Sequence, residues 1–188
     1  MNEVVNAILE RRSIRSYQEK AIEKETLERI VTAGMYAPSS RGIQPWHVTV
    51  VTNAGKIAEI TAQVKAAILR ANVERYFAQA KNDNYSVNFH KAAAFVIVSA
   101  NESETLCAAE DCSLVLGTMF LAAHSFGIGS CWINQLGCVT DEPEFRAFLT
   151  SLGVPPTHSV QCAAAFGYPE GPVPAPRPRR ENTVNYVK

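Results

Sequence analysis

Arg11, Arg12, Ser13 and Arg15 fall within five residues of a chain whose charges otherwise cancel, with 18 Lys+Arg against 18 Asp+Glu. Two kinds of chemistry suit RRSIRSY. Basic residues at the end of a helix complement the negative end of its dipole. Alternatively, planar guanidiniums grip a phosphate through paired hydrogen bonds, and a serine hydroxyl adds a donor. A second polar cluster, PSSRGIQPW at 38–46, places Ser39, Ser40 and Gln44 beside Trp46. Read simply, it is a helix stop, a turn and an anchoring tryptophan. Its hydroxyls, amide and indole also suit a planar polar ring system.

Other motifs are negative. GIGSCW at 127–132 fails as a dinucleotide fingerprint, because Trp132 occupies the third-glycine position and the stretch follows a helix instead of a strand. No GxxxxGK[ST] phosphate loop or GxSxG nucleophile elbow occurs. Cys131 has no base at a recognisable spacing and reads as a small buried hydrophobe. The histidines show no metal-ligand spacing, so no metal site is expected.

The elements that must position these residues follow from periodicity. Val4, Val5, Ile8 and Leu9 predict a short helix running into RRSIRSY. Glu23–Met35 predicts another, with Leu27, Ile30, Val31 and Gly34 on one face, stopping near Ala37-Pro38. Strands are expected at His47–Thr52, Phe95–Ser99 and Ser159–Phe166, with another beginning within Gly127–Ile133. Gly55–Lys81 is helical in character, without an internal proline or glycine, and Asn82–Phe89 reads as a loop. Thr105–Phe126 is the longest helix and Asp141–Leu152 a further one. The second half of the long helix is apolar on nearly every face, and one way to cover such a surface in a small domain is a partner subunit. The proline-rich tail after Phe166 carries no core of its own and is expected to reach across a surface. The irregular alternation of helices and strands favours α+β over a doubly wound parallel sheet.

A chain of 188 residues suits one domain. Its neutral charge argues against a nucleic-acid or anionic-membrane partner. No stretch reads as a signal peptide or a membrane span, and five cysteines without a CxxC pair suit reduced thiols in a cytoplasmic protein.

Four stretches, taken in order, resemble the FMN-dependent nitroreductases: ILERRSIRSY, AGMYAPSSRGIQPWHVTVV, FGIGSCWI after the apolar helix, and FGYPEGPVPAPRPRR. The resemblance implies a central, mainly antiparallel sheet flanked by helices, in a homodimer with exchanged terminal segments, residues 172–188 crossing the partner. It implies FMN as cofactor, NADH or NADPH as hydride donor, and a small electron-poor acceptor reduced by a ping-pong mechanism. Another flavin reaction, such as dehalogenation or flavin breakdown, or a low-turnover FMN-binding protein, would use the same scaffold. Carried over residue by residue, Arg11, Arg12 and Ser13 hold the phosphate and ribityl chain, and Arg15 tunes the pyrimidine edge of the ring. Pro38, Ser39, Ser40 and Gln44 approach the flavin from the other subunit, Trp132, Ile133, Asn134 and Gln135 lie along the ring, and Arg177 or Arg179 closes on the phosphate. The resemblance leaves Asn84 and Asn88 as alternative flavin contacts. KAAA at Lys91–Ala94 departs from the family's usual Ala-Pro.

Overall fold

The computed structural model describes residues 2–82 and 91–188, so Asn84 and Asn88 lie outside the described residues. Its helices are α1 (Glu3–Glu10), α2 (Lys24–Met35), α3 (Ala54–Arg70), α4 (Glu74–Ala80), α5 (Ala108–Ser125) and α6 (Pro143–Ser151). Its strands are β1 (Trp46–Val51), β2 (Ala94–Ala100), β3 (Gly129–Ile133) and β4 (Ser159–Gly167). The strands form one sheet in the order β1-β2-β4-β3, with every pairing antiparallel. The expected α+β architecture is therefore present.

Successive residues of a strand point to opposite faces, and here both faces are covered. Phe95 and Ile97 of β2 and Ala163 and Ala165 of β4 pack with Ile60, Val64 and Ile68 of α3 and Phe145 of α6. Val96 and Val98, with Ala164 and Phe166, pack on the other side against Ile30 of α2 and Leu116 and Met119 of α5. Helices α2 and α5 come close because Gly34 has no side chain, a Cβ there falling 2.6 Å from Met119 Cγ. Every residue of β2 is buried, which explains why FVIVS reads as a continuous apolar run.

One expectation needs correction. Gly55–Lys81 is two helices, broken at Ala71–Val73, where Asn72 adopts φ +50. Asparagine enters the left-handed region more readily than most residues, so the chain turns without proline or glycine. The turn lets α4 bury Tyr76 and Ala80.

A two-pronged ion pair fastens the end of α3 to the start of α6. Arg70 Nε donates to Glu142 Oε1 at 3.0 Å and Nη2 to Oε2 at 2.7 Å. The same carboxylate caps α6, accepting from the Phe145 N–H at 2.9 Å. The hydrogen bond from Arg70, joined by the Phe145 and Glu144 backbone N–H groups, holds the Glu142 carboxyl down at about 2. A depressed carboxyl stabilises the fold above the ordinary glutamate range, and the contribution fades as pH falls through the folded value. Glu142→Gln is therefore expected to unfold at lower urea than the parent at pH 7, with the gap closing between about pH 4.5 and 2. Urea midpoints at pH 7, 4 and 2.5 check this, and a constant gap contradicts it.

Candidate functional site

Helix α1 ends before the arginines. Arg11 leaves the helical region with φ −56 and ψ 136, and Arg12 Nη1 turns back to donate to the Leu9 and Arg11 carbonyls, both at 2.7 Å. Arg12 thus does what the simple helix-end reading of RRSIRSY expects. The chain then runs along the outer edge of β3. Ser13 bridges Ser130 in parallel, and the Ile14 N–H donates to the Ser130 carbonyl at 2.9 Å. Tyr17 is fully buried and its hydroxyl donates to the Ile14 carbonyl at 2.6 Å. Burial is the main cause that pushes this phenol well above its ordinary range, so it remains a donor.

Two glycines make that docking possible. A Cβ at Gly129 would lie 2.7 Å from the Ile14 side chain, and one at Gly167 would lie 2.8 Å from the Tyr17 ring. The GIG motif is thereby explained without a nucleotide. Gly127, at φ +70, stops α5: its N–H bonds to the His124 carbonyl at 3.0 Å while the Ile128 N–H bonds to the Ala123 carbonyl at 2.9 Å. Gly129 admits Ile14.

Between these pieces lies a cleft of about 130 Å³, walled by Arg11 and Arg12, His124, the Gly127–Gly129 turn, and Pro169 and Val173 of the tail. The Arg11 guanidinium stands 5.6 Å from the centroid of the Phe120 ring, which in turn packs 5.9 Å from Phe166. Arg15 is exposed and donates a long hydrogen bond, 3.4 Å, to the Ser13 carbonyl. No carboxylate among the described residues pairs with Arg11, Arg12 or Arg15. Arg12 Nε and Ser130 Oγ are buried without partners. Cys131 is buried, and burial raises its thiol despite the opposing pull of Arg15 and Arg11, as suits a core residue.

The other sequence-identified residues do not all converge here. Ser39 and Ser40 belong to a tight turn in which Arg41, Gly42 and Gln44 all have positive φ. The Gln44 N–H donates to Ser39 Oγ at 3.0 Å, and the Ser40 N–H donates to Asp111 Oδ1 at 2.9 Å. Pro38 at the head of this turn is exposed. Asp111, buried in the first turn of α5, was not singled out from the sequence. Its signal was an acid opening an otherwise apolar helix. Asp111 and His124 are thirteen residues apart along α5, about 20 Å at 1.5 Å per residue. Within one chain the 38–44 turn and the arginine cleft therefore stand at opposite ends of this helix.

On β3, Trp132 is 37% exposed and Ile133 is buried beneath α3 and α6. Asn134 Nδ2 donates to the Tyr76 hydroxyl at 3.4 Å, tying the strand's end to α4, and Gln135 is buried. Arg177 and Arg179 lie in the exposed tail and line no part of the cleft.

The chain as a whole is similar to known proteins. The nitroreductase family model matches residues 8–168. A nitroreductase with bound FMN from Bacteroides fragilis superposes with a TM-score of 0.94 at 39% identity, covering 100% of each chain. One from Desulfitobacterium hafniense, also with bound FMN, gives 0.87 at 25% identity, again covering 100% of each chain. The FMN reductase (NAD(P)H) of Bacillus subtilis is 33% identical over 150 residues, 77% of this chain and 57% of that protein. The chain belongs to the nitroreductase family.

The docking of RRSIRSY on the sheet edge can be checked directly. Gly129→Ala should lower unfolding stability by about 1–3 kcal/mol, the usual range for overpacking. Combined with Ile14→Ala, which removes the two Ile14 Cγ atoms that the new Cβ would meet, it should lose less than the sum of the two single changes. Strict additivity in chemical denaturation would show that the two sites do not touch.

Proposed function

We propose that the protein is an FMN-dependent oxidoreductase that takes reducing equivalents from NADH or NADPH and delivers them, in ping-pong fashion, to a small electron-poor acceptor such as a nitroaromatic or a quinone. The observation that carries this reading is the cleft at Arg11 and Arg12, a cationic pocket without a carboxylate to neutralise it, in a chain closely similar to FMN-bound nitroreductases. The residues fit the cofactor's anionic end: two guanidiniums line the cleft, Arg12 Nε is buried and unpartnered, and Ser13 follows them in the chain, bridged to Ser130, whose hydroxyl is also unpartnered. Bound FMN would supply the hydride chemistry itself.

The chain's own residues divide the remaining work. Arg11 and Ser13 bind the phosphate end, and Arg12 fixes the turn that presents them. Arg15, exposed and paired with no carboxylate among the described residues, offers a positive charge to negative charge developing on a bound ring. Exposed Trp132 offers a side-chain wall to the ring site, and Ile133, Asn134 and Gln135 contribute backbone along it, the Ile133 side chain being packed in the core.

A homodimer completes the site by bringing Pro38, Ser39, Ser40 and Gln44 of the second copy. Two features of α5 support it. Leu114 is 46% exposed on one side of an otherwise apolar helix. On the same side Gly117 is exposed, with nothing within 4 Å of where its Cβ would stand. A mid-helix glycine costs about 1 kcal/mol relative to alanine, and nothing in the single chain calls for it. A second α5 crossing at Gly117, near the middle of the 18 residues, would use the missing side chain. Antiparallel crossing would also carry the Asp111 end of one helix to the His124 end of the other. The exposed apolar residues Val4, Ile8 and Leu9 of α1, and Val184 and Val187 of the tail, would be covered in the same assembly, with residues 172–188 crossing the partner and bringing Arg177 or Arg179 to the phosphate. Among the described residues no helix is long and apolar enough to cross a membrane, and a cytoplasmic location is proposed from the cysteine usage.

Purified protein should show flavin absorbance that bleaches anaerobically with NADH or NADPH and returns when menadione or a nitrofuran is added. Protein that is colourless and takes up no FMN would sink the proposal. Arg11→Ala should weaken FMN binding about 10–100-fold, the value of a charge-assisted hydrogen bond. Arg15→Ala should keep most of the affinity and slow reduction, measured by stopped flow.

Gly117→Leu is expected to be monomeric by light scattering and to lose FMN, while Gly117→Ala keeps both. A dimeric, yellow Gly117→Leu protein would remove the crossing of the two long helices from the proposal.

A further inference from the structure

His124 sits in the last turn of α5, partly exposed, and forms a wall of the same cleft as Arg11 and Arg12. Its imidazole has no hydrogen-bond partner among the described residues. Its other neighbours in the cleft are aliphatic side chains or backbone. We propose that His124 is a third, proton-dependent group for the phosphate of the cofactor, so that FMN binding takes up a proton. This rests on the FMN reading of the cleft and adds to it a residue and a pH response.

The location of the cleft is what calls for a further cation. Helices α1 and α5 both end there, and the carbonyl end of a helix carries partial negative charge that opposes an anion. The two guanidiniums meet this only in part. Arg12 commits Nη1 to the Leu9 and Arg11 carbonyls, and Arg11 stands against the Phe120 ring. A dianion placed among them favours any nearby group that can become a cation. Histidine is the side chain whose charge changes near neutral pH, so it is the group a bound dianion can convert to a cation.

Among the described residues no acid lines the cleft with it. The titratable groups lining the cleft with His124 are Arg11 and Arg12. Glu170, next to the lining Pro169, is held by the Ser16 hydroxyl at 2.6 Å. The last turn of α5 and the Phe126–Gly129 stretch after it carry no other charged residue, and Glu10 beside Arg11 is exposed on α1.

Linkage sets the sign of the pH response. If the bound state holds one more proton than the free state, affinity rises as pH falls, by at most about tenfold per pH unit for one proton. Flavin-stripped protein titrated with FMN and with riboflavin at pH 6.5 and 8.5, followed by flavin fluorescence, tests this. Both values lie above the second phosphate ionisation, near pH 6.

The wild-type Kd for FMN should rise on the order of tenfold between the two pH values, with no matching change for riboflavin. His124→Gln should bind FMN weakly at both, and His124→Lys, a permanent cation, tightly at both. An unchanged pH slope in His124→Gln or His124→Lys overturns the assignment, as does an equal slope for riboflavin. Wild-type FMN binding that is tight but independent of pH removes His124 alone. No FMN binding at either pH removes the cofactor reading together with it. Should His124→Gln fail to fold, the comparison of wild type with His124→Lys decides.

Discussion

The site depends on a close approach that two missing side chains allow. Residues 13–17 lie against the end of the sheet because Gly129 and Gly167 leave room for Ile14 and the Tyr17 ring. The contact is sealed by a buried hydroxyl bond and by backbone pairing to Ser130, Tyr168 and Pro169. Helix α1 could not fix the arginines, since none of its residues is buried. Their position is set from the C-terminal side, by the docking of Ile14 and Tyr17. In this way an ordinary packing requirement, room for a tyrosine ring, becomes the determinant of where three guanidiniums stand.

The second constraint is the length of α5. Its first turn holds the 38–44 turn through Asp111, and its stop at Gly127 forms the floor of the arginine cleft. A rigid helix between two half-sites keeps them apart as firmly as it fixes each one. The polar turn and the arginines therefore stand at opposite ends of α5, with the open stripe at Leu114 and Gly117 between them. In the proposed dimer each would be met by what a two-fold related copy presents.

Much of this was legible in the sequence, for physical reasons. The strands HVTVV, FVIVS and SVQCAAAF are short, β-branched or apolar, and bounded by turn residues, and each was found within two residues. Helices with a strong periodic face were equally clear. The division of Gly55–Lys81 was hidden because Asn72 takes a left-handed conformation that composition does not announce. The residue types of the site were readable, since guanidiniums and hydroxyls declare their chemistry. Their separate tasks were not, because Arg11, Arg12 and Arg15 look alike until a ring, two carbonyls and open solvent distinguish them. Asp111 and His124 escaped notice for a related reason. Each is an isolated polar residue on a helix read for its apolar faces, and only folding brings it to a loop or a cleft.

The two readings of RRSIRSY, a helix cap and an anion site, are complementary in the folded chain. An anion arriving where two helices end meets the partial negative charge of those ends, which must be offset before any net attraction remains. Arg12 does the offsetting at α1, which turns a repulsive end into a usable one and leaves Arg11 and Ser13 for the ligand. One phosphate in such a place therefore needs more cations than its own charge. Only Arg11 and Arg12 line that place, while Arg15 stands apart in solvent, so three arginines within five residues divide between more than one task. On the proposed reading, the pair in the cleft answers the hostility of the location to an anion as well as the charge of the ligand.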